Sequence, residues 1–182
     1  MEIRKYLSER KKAVEQSLDN LVPAATGPFS KHIEAMRYSL FAGGKRVRPI
    51  LCLAAADAVG VEEDSADALF PIACALECIH TYSLIHDDLP AMDDDALRRG
   101  KATSHILFGE AGAILAGDGL LTLAFELLSD PAVSVIGSDR QLEIINLVSS
   151  CAGPLGMVGG QSLDMEMEQQ EFPFSTLEQI HR

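Results

Sequence analysis

Positive charge is scarce in this chain. Its 182 residues carry 15 Lys and Arg against 27 Asp and Glu, so the formal net charge at pH 7 is -12. Nucleic acids and anionic membrane surfaces attract cationic faces, and this balance therefore argues against either as the main partner. It also disfavours an anionic ligand, unless a metal ion lies between the ligand and the protein.

Aromatic residues are also few: they make up 5% of the chain, and tryptophan is absent. With much Ala, Leu and Glu and few β-branched clusters, the composition favours an all-α fold. No CxxC pair occurs, which argues against structural zinc or disulfides; the cysteines are Cys52, Cys74, Cys78 and Cys151. No apolar run reaches eighteen residues and no signal core opens the chain, so we expect a cytoplasmic protein without stable membrane insertion.

Hydrophobic periodicity and helix-breaking residues predict helices over residues 2–19, 30–41, 49–58, 65–88, 110–128 and 138–150. The 65–88 helix is apolar on nearly every face, which predicts a central, buried position. We expect one all-α domain over residues 1–182. A last helix opens near Ser175, and the chain stops about two turns later at Arg182. Because an isolated short helix is marginal in water, we expect the chain to be a fragment or a partner to supply the missing helical packing.

An acidic run at the end of the 65–88 helix is the most informative feature. Five carboxylates lie within nine residues and two arginines come shortly after, in the order Asp87, Asp88, Asp93, Asp94, Asp95, Arg98 and Arg99. Clustered carboxylates suit Mg²⁺, and guanidinium groups match phosphate oxygens. The run therefore predicts a diphosphate held through metal, rather than a solvated acidic loop.

Helix geometry limits which carboxylates in the run can cooperate. Asp87 and Asp93 would face about 120° apart on an ideal helix. Pro90 lies between them, and we expect it to open the helix and bring both to one side together with Asp88. The remaining two carboxylates of the run, Asp94 and Asp95, are expected to be solvated.

Three further motifs carry polar chemistry. The segment 43–49, Gly-Gly-Lys-Arg-Val-Arg-Pro, places three cations at a helix start, where free N–H groups bind anions; its spacing is not that of a P-loop. His80 lies seven residues before Asp87, about two turns and on roughly the same helix face. His86 points elsewhere and is expected to be structural. Gln161 comes directly after two glycines and has a functional interpretation only through a family resemblance.

Together these motifs resemble those of the trans-prenyltransferases, or polyprenyl synthetases, and most closely the bacterial farnesyl diphosphate synthase group. The resemblance lies in the segments 43–49, 77–93, 97–100 and 159–164, and extends over nearly the whole chain from about residue 28. It implies an all-α, isoprenoid-synthase-type helical bundle around a central cavity, usually a homodimer, with its C-terminal helices missing here. It also implies condensation of isopentenyl diphosphate with an allylic diphosphate (dimethylallyl or geranyl) to give farnesyl diphosphate.

The same resemblance implies roles for individual residues. The ligands of Mg²⁺ would be Asp87, Asp88 and Asp93. The catalytic residues would be Asp87, Asp93 and Arg98. Isopentenyl diphosphate would be held by Lys45, Arg48, His80 and Arg99. The allylic substrate would be bound by Arg98 and Gln161.

Product length is implied by the aromatic residue before the acidic run. Tyr82 lies five residues before Asp87, about 7.5 Å back along a helix. Its ring, with the neighbouring Ser83, would form the floor beneath a growing isoprenoid tail. Two extra residues within 89–92 complete the bacterial farnesyl pattern, which implies a C15 product.

Other interpretations remain. A geranylgeranyl or longer-chain synthase would share these motifs, and a non-catalytic helical subunit is the alternative if the chain is naturally this short. A plain Mg²⁺- or Ca²⁺-binding module is disfavoured because no EF-hand loop is present. The family's second aspartate-rich motif and catalytic lysines do not occur before Arg182, so we expect this chain alone to be weakly active or inactive.

Overall fold

Helices dominate the computed structural model, which describes residues 2–61, 68–168 and 170–181. The α-helices in these ranges are α1 (Ile3–Leu21), α2 (Ser30–Leu40), α3 (Val47–Ala58), α4 (Leu69–Asp87), α5 (Ser104–Ser129), α6 (Ser138–Ala152), α7 (Met157–Met167) and α8 (Phe174–Ile180). Short 3-10 turns are formed by Gly27–Phe29 and Pro131–Ile136. The prediction of an all-α fold is confirmed.

The helix bounds agree closely with the sequence signals, with two differences. The predicted start of the 65–88 helix lies partly outside the described residues, and α4 is seen from Leu69, with Pro71 in its first turn, where proline is tolerated. α5 begins at Ser104, earlier than expected, because two helical pieces join across Gly109, whose φ of 76° and ψ of 162° break the helix.

A small antiparallel hairpin interrupts the helical fold. Its strands are β1 (Leu97–Arg98) and β2 (Lys101–Ala102). The turn residues Arg99 and Gly100 have φ values of 54° and 77°, as in the two-residue turns that match strand twist. Strands this short carry no alternation, so the sequence pattern did not predict them.

The chain divides into two compact units, residues 1–137 and 138–182. The expectation of one domain over residues 1–182 stays a prediction. In the second unit α7 packs against both α6 and α8. A Cβ at Gly160 would lie 2.6 Å from the carbonyl oxygen of Ile180, so glycine permits the approach of α7 to α8.

The core of the first unit is built around α4. This helix packs mainly against α5 and also contacts α1, α2 and α3. Its buried side chains include Ile72, Cys74, Cys78, Ile79 and Ile85, which confirms the predicted central position. The buried residues of α5 include Ala113, Ala116, Gly117, Leu120 and Ala124, whose mostly small side chains allow close helix packing.

Within the described residues, three helical segments are long and apolar enough, by length and composition alone, to cross a membrane; they are residues 69–87, 104–129 and 138–167. The share of the apolar window buried inside the protein is 61% in the first, 44% in the second and 0% in the third. Core burial thus accounts for much of the apolar character of the first segment. The absence of membrane insertion stays a prediction.

Replacing Gly117 by alanine should lower the free energy of unfolding by about 1–3 kcal/mol. The new methyl group would overlap the imidazole ring of His86 on α4, which outweighs the better helix propensity of alanine. Gly112→Ala is the control on the same helix, since its methyl group meets only the Cβ of Phe108, at 3.0 Å. Urea unfolding measures both variants, and equal stabilities would contradict the proposed overlap.

Candidate active site

The carboxyl end of α4 folds back on itself at the acidic run. The helix ends at Asp87, and the backbone N–H of Asp93 donates a hydrogen bond to the Asp87 carbonyl at 2.8 Å. Asp94 then takes a φ of 53°, a left-handed conformation that Asp tolerates better than most residues. The opened helix places Asp93 beside Asp87, as the intervening Pro90 led us to expect.

Electrostatics link the Asp87 and Asp93 carboxylates. The pKa of Asp87 is raised above its ordinary value, first by partial burial and then by the nearby negative charge of Asp93. Two like charges held together favour a cation between them. Within the described residues, however, no group of three His, Cys, Asp or Glu side chains is arranged to hold a metal ion. The structure therefore provides a carboxylate pair rather than a complete ligand set.

Asp88 has a different partner. Its side chain is buried, at 4% exposure. One carboxylate oxygen accepts a hydrogen bond from Nε of Arg98 at 2.7 Å, and Nη2 of the same guanidinium group lies 2.6 Å from that oxygen in an ion pair. Arg98 Nη2 also lies 3.6 Å from Asp95. Both the expected Asp88–Mg²⁺ and Arg98–diphosphate contacts stay predictions. Asp95 is exposed, as expected, but its carboxylate lies near the guanidinium group of Arg98.

The β1–β2 hairpin separates the two arginines. Arg98, the last residue of β1, turns towards Asp88, while Arg99, in the turn, donates a hydrogen bond to the Gly43 carbonyl. Thr103 holds the base of the hairpin, because its hydroxyl donates to the carbonyl of Asp95 at 2.8 Å. The hairpin thus delivers one arginine to each of two polar sites.

A basic pocket of about 400 Å³ forms where α3 begins against α4. Gly44, Val47 and a buried ion pair form part of its wall. The pocket is also lined by all four residues predicted to hold isopentenyl diphosphate, which are Lys45, Arg48, His80 and Arg99. Gly44 has a φ of 139°, and a Cβ there would lie 2.5 Å from Nη1 of Arg99. The positive φ favours glycine at position 44, and a larger side chain there would require the end of the Arg99 side chain to shift.

The buried ion pair in the pocket wall consists of Arg46 and Glu77. They are 2% and 3% exposed, and Nη1 of Arg46 donates to a Glu77 carboxylate oxygen at 2.8 Å. The sequence pattern indicated only a cation at position 46 and gave Glu77 no role. Burial of Glu77 on an apolar helix was the available signal, since a buried carboxylate requires a partner.

His80 is half-buried in the pocket, and its pKa lies below 6.5. Burial is the main cause, with a smaller contribution from the positive charge of Arg48, while the carboxylate of Glu77 acts in the opposite direction. The imidazole is therefore neutral at pH 7. A neutral imidazole can donate one hydrogen bond to a phosphate oxygen and accept another.

Of the two residues predicted to set product length, Tyr82 lies in the core and Ser83 is half-buried. Tyr82 is 6% exposed, and its ring meets that of His86 edge-on, with centroids 5.7 Å apart. The Ser83 hydroxyl donates to the carbonyl of His80 at 2.9 Å. His86 itself lies 3.1 Å from the Ile114 carbonyl, in keeping with its expected structural role. Gln161 lies on α7 in the second unit, and its role stays a prediction.

Comparison with families of known proteins identifies the chain's relatives. The polyprenyl synthetase family model matches residues 30–182. The chain belongs to the polyprenyl synthetase family. The resemblance drawn from the motifs of segments 43–49, 77–93, 97–100 and 159–164 is thereby confirmed.

Individual relatives agree with this family. Farnesyl diphosphate synthase of Geobacillus stearothermophilus is 52% identical over 100% of this chain and 60% of its own length. Geranylgeranyl diphosphate synthase of Cyanophora paradoxa is 48% identical over 97% of this chain and 57% of its own length. The crystal structure of a geranyltransferase from Legionella pneumophila has a TM-score of 0.89 and 39% identity, and the match covers 97% of this chain and 61% of that one. The chain thus spans about 60% of the length of these relatives.

Arg48→Gln should raise the pKa of His80 towards 6.5, because it removes a positive charge that opposes protonation. In the unaltered protein the pKa of His80 is lower in the folded state than in the unfolded chain. The unfolded chain therefore binds a proton on this imidazole more readily than the folded protein does. The contribution of His80 to stability is therefore complete above pH 6.5 and is lost as the pH falls below 6.5 towards the lower pKa of the folded state. An NMR titration of the imidazole measures the shift, with Arg10→Gln as the control; a His80 pKa unchanged by Arg48→Gln would contradict the coupling.

Proposed function

We propose that this chain forms the diphosphate-binding part of a trans-prenyltransferase that condenses isopentenyl diphosphate with an allylic diphosphate. The observation that carries the proposal is the convergence of three cations and a neutral imidazole in one pocket, formed by Lys45, Arg48, Arg99 and His80. The cations match a diphosphate in charge, and the guanidinium groups match it in geometry. Membership of the polyprenyl synthetase family supports the same reaction class.

The allylic diphosphate is assigned to the carboxyl end of α4. Asp87 and Asp93 would hold Mg²⁺ there, since Mg²⁺ takes one or two protein carboxylates and completes its coordination with water and phosphate. The raised pKa of Asp87 fits this role, because a cation would relieve the repulsion from Asp93. When bound, Mg²⁺ supplies charge stabilisation to a departing diphosphate.

The chain's own residues act by binding and by excluding water. Lys45, Arg48 and Arg99 hold the isopentenyl diphosphate, and His80 donates a hydrogen bond to it. Arg98 contributes positive charge beside the allylic diphosphate when it turns from Asp88. The apolar side chains of α4 keep water from the carbocation formed as the allylic C–O bond breaks.

Farnesyl diphosphate is the proposed product, with geranylgeranyl diphosphate as the second candidate because synthases of both kinds are among the relatives. The buried ring of Tyr82 favours the shorter product, since it lies about 7.5 Å before the end of α4. We also propose that the enzyme acts as a cytoplasmic homodimer and that residues 1–182 alone are weakly active or inactive.

Lys45→Ala and Arg48→Gln in the full-length protein should each raise the KM for isopentenyl diphosphate about tenfold or more. The KM for geranyl diphosphate should change far less, because the basic pocket is assigned to the other substrate. Steady-state condensation assays measure both constants, with Lys31→Ala on the exposed face of α2 as the control. Unchanged KM for isopentenyl diphosphate in both pocket variants would refute the assignment.

Asp87→Asn and Asp93→Asn should abolish the rise in melting temperature that Mg²⁺ and inorganic pyrophosphate together give the unaltered protein. Ligand binding to the folded state raises the melting temperature in proportion to the free energy of binding. Asp94→Asn removes an exposed carboxylate from the same run and should keep the full rise. Thermal unfolding measures the shift; its retention in Asp87→Asn and Asp93→Asn would place the metal elsewhere.

Tyr82→Ala in the full-length enzyme should lengthen the product beyond C15, because it removes a buried ring from the proposed floor. Chromatography of the dephosphorylated products measures the chain length. Tyr38→Ala, which changes a half-buried ring on α2, is the control and should leave the product spectrum as it is. An unchanged spectrum in Tyr82→Ala would exclude the floor role.

A further inference from the structure

A buried ion pair lies between the residues assigned to isopentenyl diphosphate. We propose that Arg46 and Glu77 are positioning residues, which set the geometry of the basic pocket without themselves supplying its charge. This inference rests on the proposed function of that pocket. It adds a requirement for binding that neither the motifs nor membership of the family specifies.

The guanidinium group of Arg46 joins several helices. Its Nη1 donates to Glu77 on α4 at 2.8 Å, and its Nη2 donates to the carbonyl of Leu40, the last residue of α2, also at 2.8 Å. Its Nε lies 3.5 Å from a carboxylate oxygen of Glu15 on α1 and makes no hydrogen bond. One side chain therefore fixes the start of α3 relative to α4, α2 and α1.

The pair is placed so that a change in it would move the ligand-binding residues. Lys45 and Arg48 flank Arg46 in sequence, and His80 comes three residues after Glu77, which puts both on neighbouring positions of α4. Arg46 has φ 52° and ψ 37°, a left-handed conformation that is uncommon for a residue with a Cβ and costs free energy. The hydrogen bonds of Arg46 to Glu77 and Leu40 offset this cost. They hold the backbone at Arg46 so that Lys45 and Arg48 point into the pocket.

Charge pairing also defines what the pocket presents to a ligand. Glu77 neutralises Arg46 inside the wall, so the open positive charge comes from Lys45, Arg48 and Arg99. An apolar pair of similar volume would hold two helices together at least as well as a buried ion pair. The directional hydrogen bonds of Arg46 therefore point to a geometric role in addition to helix packing.

A second ion pair provides a matched control. Arg10 on α1 contacts both carboxylate oxygens of Asp57 near the end of α3, at 2.9 and 2.7 Å. It also joins two helices, but its side chains are partly exposed and it does not line the basic pocket. Loss of this pair should affect stability without changing the affinity for isopentenyl diphosphate.

The test compares Glu77→Gln, Arg46→Lys and the apolar pair Arg46→Met/Glu77→Met with Asp57→Asn in the full-length protein. Each variant is assayed at a temperature where circular dichroism shows it fully folded. A variant that does not fold is left out, and the comparison rests on the pocket variants that do fold. We expect the folded pocket variants to raise the KM for isopentenyl diphosphate about tenfold or more, as displaced binding groups do. The KM for geranyl diphosphate should change less than about twofold, and Asp57→Asn should change neither constant.

Two outcomes would overturn the inference. Pocket variants that lose only thermal stability, or that raise the two KM values equally, would show a purely structural pair. Lys45→Ala measured in parallel separates this failure from that of the proposed function. If Lys45→Ala raises the KM for isopentenyl diphosphate and the pair variants do not, the positioning role alone fails; if neither raises it, the pocket assignment fails as well.

Discussion

The burial of α4 is the constraint on which the first unit depends. Its 19 residues (Leu69–Asp87) carry apolar side chains on almost every face, so they must be enclosed by neighbouring helices before the chain can be stable. α5 provides the main contact, with α1, α2 and α3 on other sides. Among the polar residues of α4, Glu77 is buried and pairs with Arg46 at the start of α3, whereas His80 and Asp87 are only half-buried and lie at the two polar sites.

Each of the two polar sites contains one ion pair, which is fully buried in the basic pocket and partly buried at the acidic end, and further charges of one sign lie beside it. In the basic pocket, Arg46 is neutralised by Glu77, while the side chains of Lys45 and Arg48 are exposed. At the acidic end the relation is reversed, because Asp88 is engaged by Arg98 and the Asp87–Asp93 pair remains mutually repulsive. An acidic protein can in this way present a cationic pocket and a pair of mutually repulsive carboxylates within the same helical unit.

Much of this arrangement could be predicted from local sequence signals. Helix periodicity gives α4 its approximate bounds, and Pro90 gives a physical reason for Asp93 to approach Asp87. The partners of Asp88 and Arg46 could not be predicted in the same way. Arg46 finds its acceptors on Glu77 and Leu40, of which the first lies 31 residues away, and such contacts result from packing rather than from local preference. The hairpin was missed because two-residue strands (Leu97–Arg98 and Lys101–Ala102) carry no periodicity.

The central claim is that the basic pocket and the carboxyl end of α4 hold two different diphosphates. A crystal structure of the full-length protein with isopentenyl diphosphate, Mn²⁺ and an unreactive allylic diphosphate analogue tests it most directly. We expect anomalous scattering from manganese beside Asp87 and Asp93, and isopentenyl diphosphate in contact with Lys45, Arg48 and Arg99. Isopentenyl diphosphate bound elsewhere, with manganese away from both carboxylates, would contradict it.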